Sequence, residues 1–150
     1  MPRRRCVWRF LQSLLGPTGP ADRGDRGEEH AVAWLVRERR FALVTCNWRN
    51  PRDRREEIDL VARDGTILVF VEVKTRAPGA LVPGYYAVDA RKRRVLRRAI
   101  RAYLKQLREK PLTFRFDIVE VVLPAGGEVP AEILHFENVA LFPKHFRGGR

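Results

Sequence analysis

Three ionisable side chains stand inside the two most apolar, β-branched stretches of the chain, residues 57–61 and 67–74. They are Asp59, Glu72 and Lys74, and a short Asp-Gly turn between the two stretches predicts a β-hairpin. Because strand side chains alternate between faces, Glu72 and Lys74 share one face, and the hairpin brings Asp59 near Glu72. Burying an unpaired charge is costly, so two carboxylates and an ammonium at one point indicate a site for a hard cation beside a positive group.

A purely structural explanation of the same residues stays open at this point. Lys74 can form an ion pair with Glu72 or Asp59 on the exposed face of an edge strand, and such pairs place charges in strands without any ligand. The residue pattern alone does not choose between the two.

The net charge restricts the class of partner. The chain has 150 residues, with 30 Lys+Arg against 18 Asp+Glu, which gives a formal net charge of +12. This length suits one domain with a real core. A basic surplus dominated by arginine favours a polyanion, with nucleic acid as the leading partner and an anionic membrane surface as the second.

Cysteine and histidine do not indicate a metal site. Cys6 and Cys46 are the only cysteines and form no CxxC motif, and the three histidines have no ligand spacing. No apolar run reaches the length of a membrane span. The N-terminus imitates a signal peptide, but Arg9 and Gln12 interrupt its apolar region and no small-residue cleavage site follows. We therefore expect a cytoplasmic protein with reduced cysteines.

The predicted elements follow the order αβββαββ, which indicates one α/β domain with a mixed sheet flanked by helices. Residues 1–23 are predicted to be a basic, flexible extension, with 24–150 as the domain. One helix is predicted from Asp25 as N-cap to about 39, and a second from Asp89 as N-cap to about 110. Strands are predicted near 41–48, 57–63, 66–75, 113–123 and 132–137.

The second predicted helix carries a dense basic surface. Ten basic residues between Arg91 and Lys110 face one acid, Glu109, so pairing within the helix cannot neutralise them. A solvated face would explain such a run, but phosphate contact explains it better. Trp48, Tyr85 and Tyr86 could stack on unpaired bases or pack in the core. The predicted nucleic-acid contacts are Arg49, Arg76, Lys92, Arg93, Arg97 and Arg101.

Several of these sequence segments together resemble one known protein family. The chain resembles the bacterial YraN-type family through Gly27-Glu28, Asn47-Trp48-Arg49, the segments 57–65 and 68–76, and Arg115-Phe116-Asp117-Ile118-Val119. The resemblance covers most of residues 24–142. The resemblance implies a restriction-endonuclease-like fold of the PD-(D/E)xK superfamily and an endonuclease activity. It also implies catalytic roles for Asp59, Glu72 and Lys74, with Glu28 as an additional acid, and Lys92 matches a family position that could approach the site.

The chain departs from the family pattern at two places. Glu56 stands where the family usually has glycine before the Glu-Ile-Asp motif, and Arg40-Phe41 stand where it usually has Gly-Tyr. Loss of the first glycine could alter how closely backbone or DNA approaches Asp59.

Phosphodiester hydrolysis suggests the cofactor. Mg²⁺ or Mn²⁺ prefers one or two carboxylates and accepts phosphate oxygen, so Asp59 and Glu72 are the predicted ligands, with the carbonyl of Val73 as a third. Lys74 would orient or polarise the attacking water, or stabilise the transition-state charge. Glu28 could equally belong to a capping box begun by Asp25.

The sequence therefore leaves three hypotheses for the function. The first is a metal-dependent endonuclease acting on DNA, including branched or damaged DNA. The second is a non-catalytic nucleic-acid-binding protein with a structural cluster of acids and lysine. The third is a peripheral membrane or assembly protein that uses residues 3–15. Cleavage of junctions would require paired sites and hence a homodimer.

Overall fold

The computed structural model describes residues 23–80, 88–127 and 129–142. Residues 1–22 of the N-terminal extension and Tyr85-Tyr86 therefore lie outside the described residues, whereas Arg23 lies in the first helix. Over the described part the element order αβββαββ is confirmed. The elements are α1 (Arg23–Arg37), β1 (Ala42–Arg49), β2 (Glu57–Asp64), β3 (Ile67–Arg76), α2 (Ala90–Gln106), β4 (Phe114–Val122) and β5 (Glu132–Phe136).

The strands form one mixed sheet in the order β1-β2-β3-β4-β5. Neighbouring strands are antiparallel except β3 and β4, which are parallel. A parallel pair needs a crossover connection, and α2 lies in the connection between these two strands. The hairpin of β2 and β3 is confirmed, with Asp64 opposite Ile67 and Gly65 at a φ of 56° in the turn.

Both faces of the sheet are covered, which explains why β3 is apolar almost throughout. Leu68 and Phe70 belong to a core cluster with residues of α2, whereas Val69 and Val71 belong to a second cluster with residues of α1. β3 is thus an interior strand. The ion pair of Lys74 and Glu72 that the structural alternative predicted is present, but its placement on an exposed edge strand is wrong, because Glu72 is only 1% exposed.

Two helix boundaries differ from the sequence prediction. Asp25 lies inside the first turn of α1 and is not its N-cap, so the proposed capping box of Asp25 and Glu28 is wrong. Asp89 does cap α2, where its carboxylate accepts the Lys92 N–H at 2.7 Å. However, α2 ends at Gln106 instead of near 110. The Lys110 ammonium donates to the carbonyl of Leu104 at 2.5 Å, which satisfies a terminal acceptor from beyond the helix.

Arg40 adopts a left-handed conformation, with φ at 59°, in the turn between α1 and β1. The next residue, Phe41, is buried in the core cluster that also holds residues of α1. A glycine suits this backbone region and an arginine is strained in it. The departure from the expected Gly-Tyr pair therefore changes a helix end, away from the acidic residues.

Replacing Arg40 by glycine should raise the free energy of unfolding by about 0.5–1 kcal/mol, because relief of left-handed strain exceeds the entropic cost of glycine. Chemical denaturation would measure it. The matched control is Arg94→Gly, which removes the same side chain from an exposed position inside α2 and should cost about 1 kcal/mol. Equal destabilisation by both substitutions would contradict this explanation.

Two further observations bear on location. Among the described residues, no helix is both long and apolar enough to cross a bilayer. Cys46, in β1, is disulfide-bonded, whereas the sequence led us to expect reduced cysteines. The cytoplasmic location stays a prediction.

Candidate active site

The hairpin places the three predicted residues at one end of β2 and β3. The Glu72 carboxylate is buried, and its Oε1 atom accepts hydrogen bonds from two ammonium groups. Lys74 Nζ lies 2.8 Å from this oxygen and Lys92 Nζ lies 3.0 Å from it. Lys74 follows Glu72 by two residues on β3, so the side chains of Glu72 and Lys74 both project to the face of the sheet that α2 covers. The first turn of α2 supplies Lys92, which the sequence analysis predicted as a nucleic-acid contact that could approach the site.

The second carboxylate oxygen of Glu72 has no partner. Glu72 Oε2 is buried and makes no hydrogen bond among the described residues. An unsatisfied buried carboxylate oxygen is costly, and native structures rarely keep one without a reason. Among the described residues, no other group therefore competes with a ligand for this oxygen.

A second buried carboxylate shows the contrast. Asp117 is fully buried in β4, and both of its oxygens are satisfied. Oδ1 accepts from Arg115 Nε at 3.0 Å and from the Asn138 N–H at 2.8 Å, while Oδ2 lies 2.9 Å from His135 Nε2. This cluster has the features of a structural network. It also contains two buried nitrogens without a hydrogen-bond partner, Arg115 Nη2 and His135 Nδ1, whereas at Glu72 the unpartnered atom is a carboxylate oxygen.

Asp59 replaces a backbone acceptor at the end of the hairpin. The register of β2 and β3 extends to Leu60 opposite Val71. Beyond that point the Asp59 Oδ2 atom accepts the Val73 N–H at 2.8 Å. Asp59 thus lies beside Glu72 as expected, because the residue to which it bonds directly follows Glu72 along β3. Val73 thus contributes its N–H to the site, and the predicted role of its carbonyl as a ligand stays a prediction.

The environment makes Asp59 a weak acid. Burial and the neighbouring Glu72 carboxylate raise the pKa of Asp59 to about 8, against the opposing effects of the Val73 N–H and the Lys92 ammonium. Asp59 therefore keeps its proton near neutral pH unless a cation is added. Burial lowers the pKa of Lys92, but the Glu72 carboxylate outweighs it and holds that pKa above its usual value.

Glu28 reaches the same region from α1. A Cβ atom on the preceding residue, Gly27, would overlap the side chain of Thr75, so α1 crosses closely over the end of β3. Only glycine permits this approach. The Glu28 carboxylate adds to the effects that raise the pKa of Asp59, and its role as an additional acid, which the family resemblance implies, stays a prediction.

Most of the predicted nucleic-acid contacts have partners within the protein. Arg49 pairs with Glu57 at 3.0 Å, and the largely buried Arg76 lies 3.6 Å from Glu120. Their roles in nucleic-acid binding stay predictions.

Three arginines of α2 contact the segment that follows β5, residues 139–142. Arg93 Nη1 donates to the carbonyl of Ala140 at 3.1 Å, and Arg97 Nη1 donates to that of Leu141 at 3.3 Å. The guanidinium of Arg101 lies over the ring of Phe142, 5.8 Å from its centroid. These contacts span more than 40 residues of sequence, so the pattern within the helix could not reveal them.

Glu56 has a structural role that sequence reasoning missed. It is 4% exposed, and its carboxylate accepts from Asn50 Nδ2 at 2.7 Å and lies 2.7 Å from Arg98 Nε. It ties the β1–β2 loop to α2 just before the strand that carries Asp59. Trp48 is also buried and packs edge-on against Tyr103, 5.3 Å between ring centroids, so it belongs to the core.

The described residues contain no group of three or more His, Cys, Asp or Glu side chains arranged to hold a metal ion. Asp59 and Glu72 form a pair of carboxylates, with the two lysines beside them. Such a pair suits a hard cation that keeps several waters.

Comparison with known proteins identifies a family. A profile of the uncharacterised protein family UPF0102 matches residues 27–121. A UPF0102 protein from Porphyromonas gingivalis is 41% identical over 117 residues, which is 78% of this chain and 82% of that protein. One from Geobacter metallireducens is 40% identical over 115 residues, covering 77% and 88% of the two chains. One from Symbiobacterium thermophilum is 43% identical over 111 residues, covering 74% and 91%.

Proposed function

This chain belongs to the uncharacterised protein family UPF0102, and we propose that it is a metal-dependent endonuclease that hydrolyses DNA phosphodiester bonds. The observation that carries the proposal is the buried Glu72 carboxylate with one unpartnered oxygen, beside Asp59 and two lysines. Carboxylates and a lysine on adjacent strands of a mixed sheet also support assigning the fold to the restriction-endonuclease-like class.

Asp59 and Glu72 are the groups that would hold Mg²⁺ or Mn²⁺. Their donor atoms are oxygens, which these hard ions prefer, and Glu72 Oε2 has no competing partner among the described residues. A bound cation would also oppose burial and the neighbouring Glu72 carboxylate, which together raise the pKa of Asp59. When bound, such an ion lowers the pKa of a water and neutralises charge on the phosphate.

The two lysines have different positions around Glu72. Lys92 comes from α2 and has 35% of its side chain accessible, whereas Lys74 is on the same strand as Glu72 and has 26% accessible. We assign Lys74 to the attacking water or to the charge that develops on the phosphate. Lys92 is anchored by the capped first turn of α2, and we assign it to positioning Glu72. Glu28 would reinforce the negative potential around Asp59.

DNA is the proposed substrate because the protein is strongly basic and its candidate site contains groups suited to phosphate chemistry. Branched or damaged DNA remains the proposed preference. Cutting both strands of a junction symmetrically would require two such sites and hence a homodimer.

The proposal is tested by incubating the purified protein with circular, single-stranded and junction DNA in the presence of Mg²⁺ or Mn²⁺. We expect strand cleavage that EDTA abolishes and that Asp59→Ala removes. Absence of cleavage on all three substrates with either metal, or cleavage unchanged in Asp59→Ala, would rule the nuclease out.

One observation favours a second candidate function, a non-catalytic nucleic-acid-binding protein. Lys74 and Lys92 both pair with Glu72 Oε1, and this arrangement compensates the buried charge without a cation. Calorimetric titration with Mn²⁺ separates the two candidates. The nuclease requires metal binding that disappears in Glu72→Gln, whereas the binding protein requires none.

A further inference from the structure

The outward side of α2 carries a regular row of basic residues. Its members follow one another at intervals of three or four positions, which places them on one side of a helix. All are exposed. We call this row the outer stripe, and it consists of Arg91, Arg94, Arg98, Arg101 and Lys105.

Three members of the outer stripe, Arg91, Arg94 and Lys105, differ from the arginines of α2 that contact other parts of the fold. Arg93 and Arg97 are partly buried and bond to the carbonyls of Ala140 and Leu141. Arg91, Arg94 and Lys105 make no side-chain hydrogen bond or ion pair within the described residues. Like charges three or four positions apart on a helix repel one another, and α2 contains no acid to balance them.

Arg98 fixes the position of the row relative to the rest of the protein. Its Nε atom lies 2.7 Å from the buried Glu56, while 60% of its side chain stays exposed. The stripe therefore lies on a helix held to both the sheet and the β1–β2 loop. A rigid row of charges suits a rigid row of counter-charges better than a flexible one.

The length of the row matches a duplex backbone. Arg91 and Lys105 are 14 positions apart, about 21 Å along a helix at about 1.5 Å per residue. This distance corresponds to roughly six base pairs at about 3.4 Å per phosphate on one strand. Single strands are usually held by stacking on aromatic rings. The one aromatic residue of α2, Tyr103, is buried in the core.

The stripe starts beside the acidic site. Arg91 precedes Lys92, whose ammonium contacts Glu72. A duplex that lies along the stripe would thus have one end of its contacted backbone near Asp59 and Glu72.

We propose that the outer stripe binds the phosphate backbone of one strand of a nucleic-acid duplex, without reading its bases, and directs that duplex to the acidic site. The inference deepens the proposed nuclease function and rests on it for the direction of the substrate. The binding itself does not depend on catalysis.

The test is duplex affinity measured by fluorescence anisotropy in EDTA, as a function of salt. The variant Arg91→Gln/Arg94→Gln/Lys105→Gln should reduce the slope of log K against log salt by about 2.7, because each neutralised phosphate contributes about 0.9 to that slope. Affinity at 100 mM salt should fall by about 10²-fold or more. Because the three side chains are exposed, thermal unfolding should change little, which a melting curve checks.

The matched control is Arg37→Gln/Arg40→Gln/Arg63→Gln, which removes the same charge from exposed positions outside α2. Its slope should stay within about 0.9 of the parent value. Equal decreases of affinity in both triple variants would overturn the proposal, since net charge alone would then explain binding. The proposal would also be overturned if the stripe variant lost as much affinity for a single-stranded oligonucleotide as for the duplex, or more. Stripe-dependent binding to phosphatidylserine vesicles without duplex binding would reassign the surface to a membrane.

The outcome is distinguishable from failure of the nuclease proposal. Duplex binding that depends on the stripe, without cleavage in Mg²⁺ or Mn²⁺, would reject the nuclease and retain the stripe. If the parent protein cleaves DNA but the stripe variant binds the duplex as tightly as the parent does, the stripe proposal is rejected and the nuclease proposal is retained.

Discussion

Replacing Lys74 by methionine should lower the single-turnover rate of DNA cleavage by about 10²–10³-fold, the usual effect of losing one group that stabilises transition-state charge. The protein should stay folded. Glu72 Oε1 would keep its other partner, Lys92 at 3.0 Å, so the buried carboxylate does not become fully unpaired. Methionine also fills nearly the same volume as the aliphatic part of lysine. Rates at saturating DNA, with a melting curve for each variant, measure the effect.

The matched comparison is Lys92→Met. It removes the same charge from the same carboxylate oxygen but lies on α2, and we expect a smaller decrease in rate because Lys92 acts through Glu72. In the double variant the decrease in cleavage rate should differ from the sum of the two single decreases in free-energy terms, because Glu72 would then have neither cation beside it. Similar, small decreases in the two single variants would contradict a direct chemical role for Lys74 and would leave it as a structural partner of Glu72.

Replacing Asp59 by asparagine should stabilise the protein, increasingly as pH rises from about 4 to about 8. Folded Asp59 holds its proton up to a pKa of about 8, whereas the unfolded residue loses it near pH 4. Between these values the folded state binds more protons, so stability falls as pH rises. Asparagine removes this penalty and still offers an oxygen to the Val73 N–H. We expect a gain of at least about 1 kcal/mol at pH 8 and almost none below pH 4.

Urea denaturation at several pH values would measure this gain. Glu57→Gln serves as control, because that carboxylate is two residues away and pairs with the exposed Arg49; its effect should stay within about 0.5 kcal/mol. Mn²⁺ should raise the melting temperature of the parent at pH 7 and have little effect on Asp59→Asn. A parent that is most stable near pH 8, with Asp59→Asn less stable at every pH, would show that Asp59 is an ordinary structural acid.

Local patterns were sufficient for much of the fold. Strand alternation and the Asp-Gly turn predicted the β2–β3 hairpin and its approach of Asp59 to Glu72, because these are short-range consequences of pairing. Asp89 was correctly predicted as an N-cap, since capping depends on residues within one turn. The same prediction for Asp25 was wrong, although Asp25 has the same side chain as Asp89. An acid in the first turn of a helix gives nearly the same signal as one at the cap.

The rest depended on distances in space that the sequence does not encode locally. Lys92 meets Glu72 across 20 positions, and the sequence could suggest that approach only through a family position. The division of α2 between inward arginines and the outer stripe follows from where residues 139–142 lie. Glu56 was interpreted as a lost glycine near Asp59, whereas its carboxylate is occupied by Asn50 and Arg98.

The segment after β5 is held by charge as well as by packing. Val139 and Leu141 are buried in the core cluster that contains residues of α2, and arginines of that helix hold the backbone around them. A shortened protein that lacks residues 139–142 would therefore have a less complete core and would also release the guanidinium groups of Arg93 and Arg97. Such a protein would bind polyanions more tightly while being less stable. Tighter binding on truncation would then be a symptom of damage to the fold, and not the removal of an inhibitory tail.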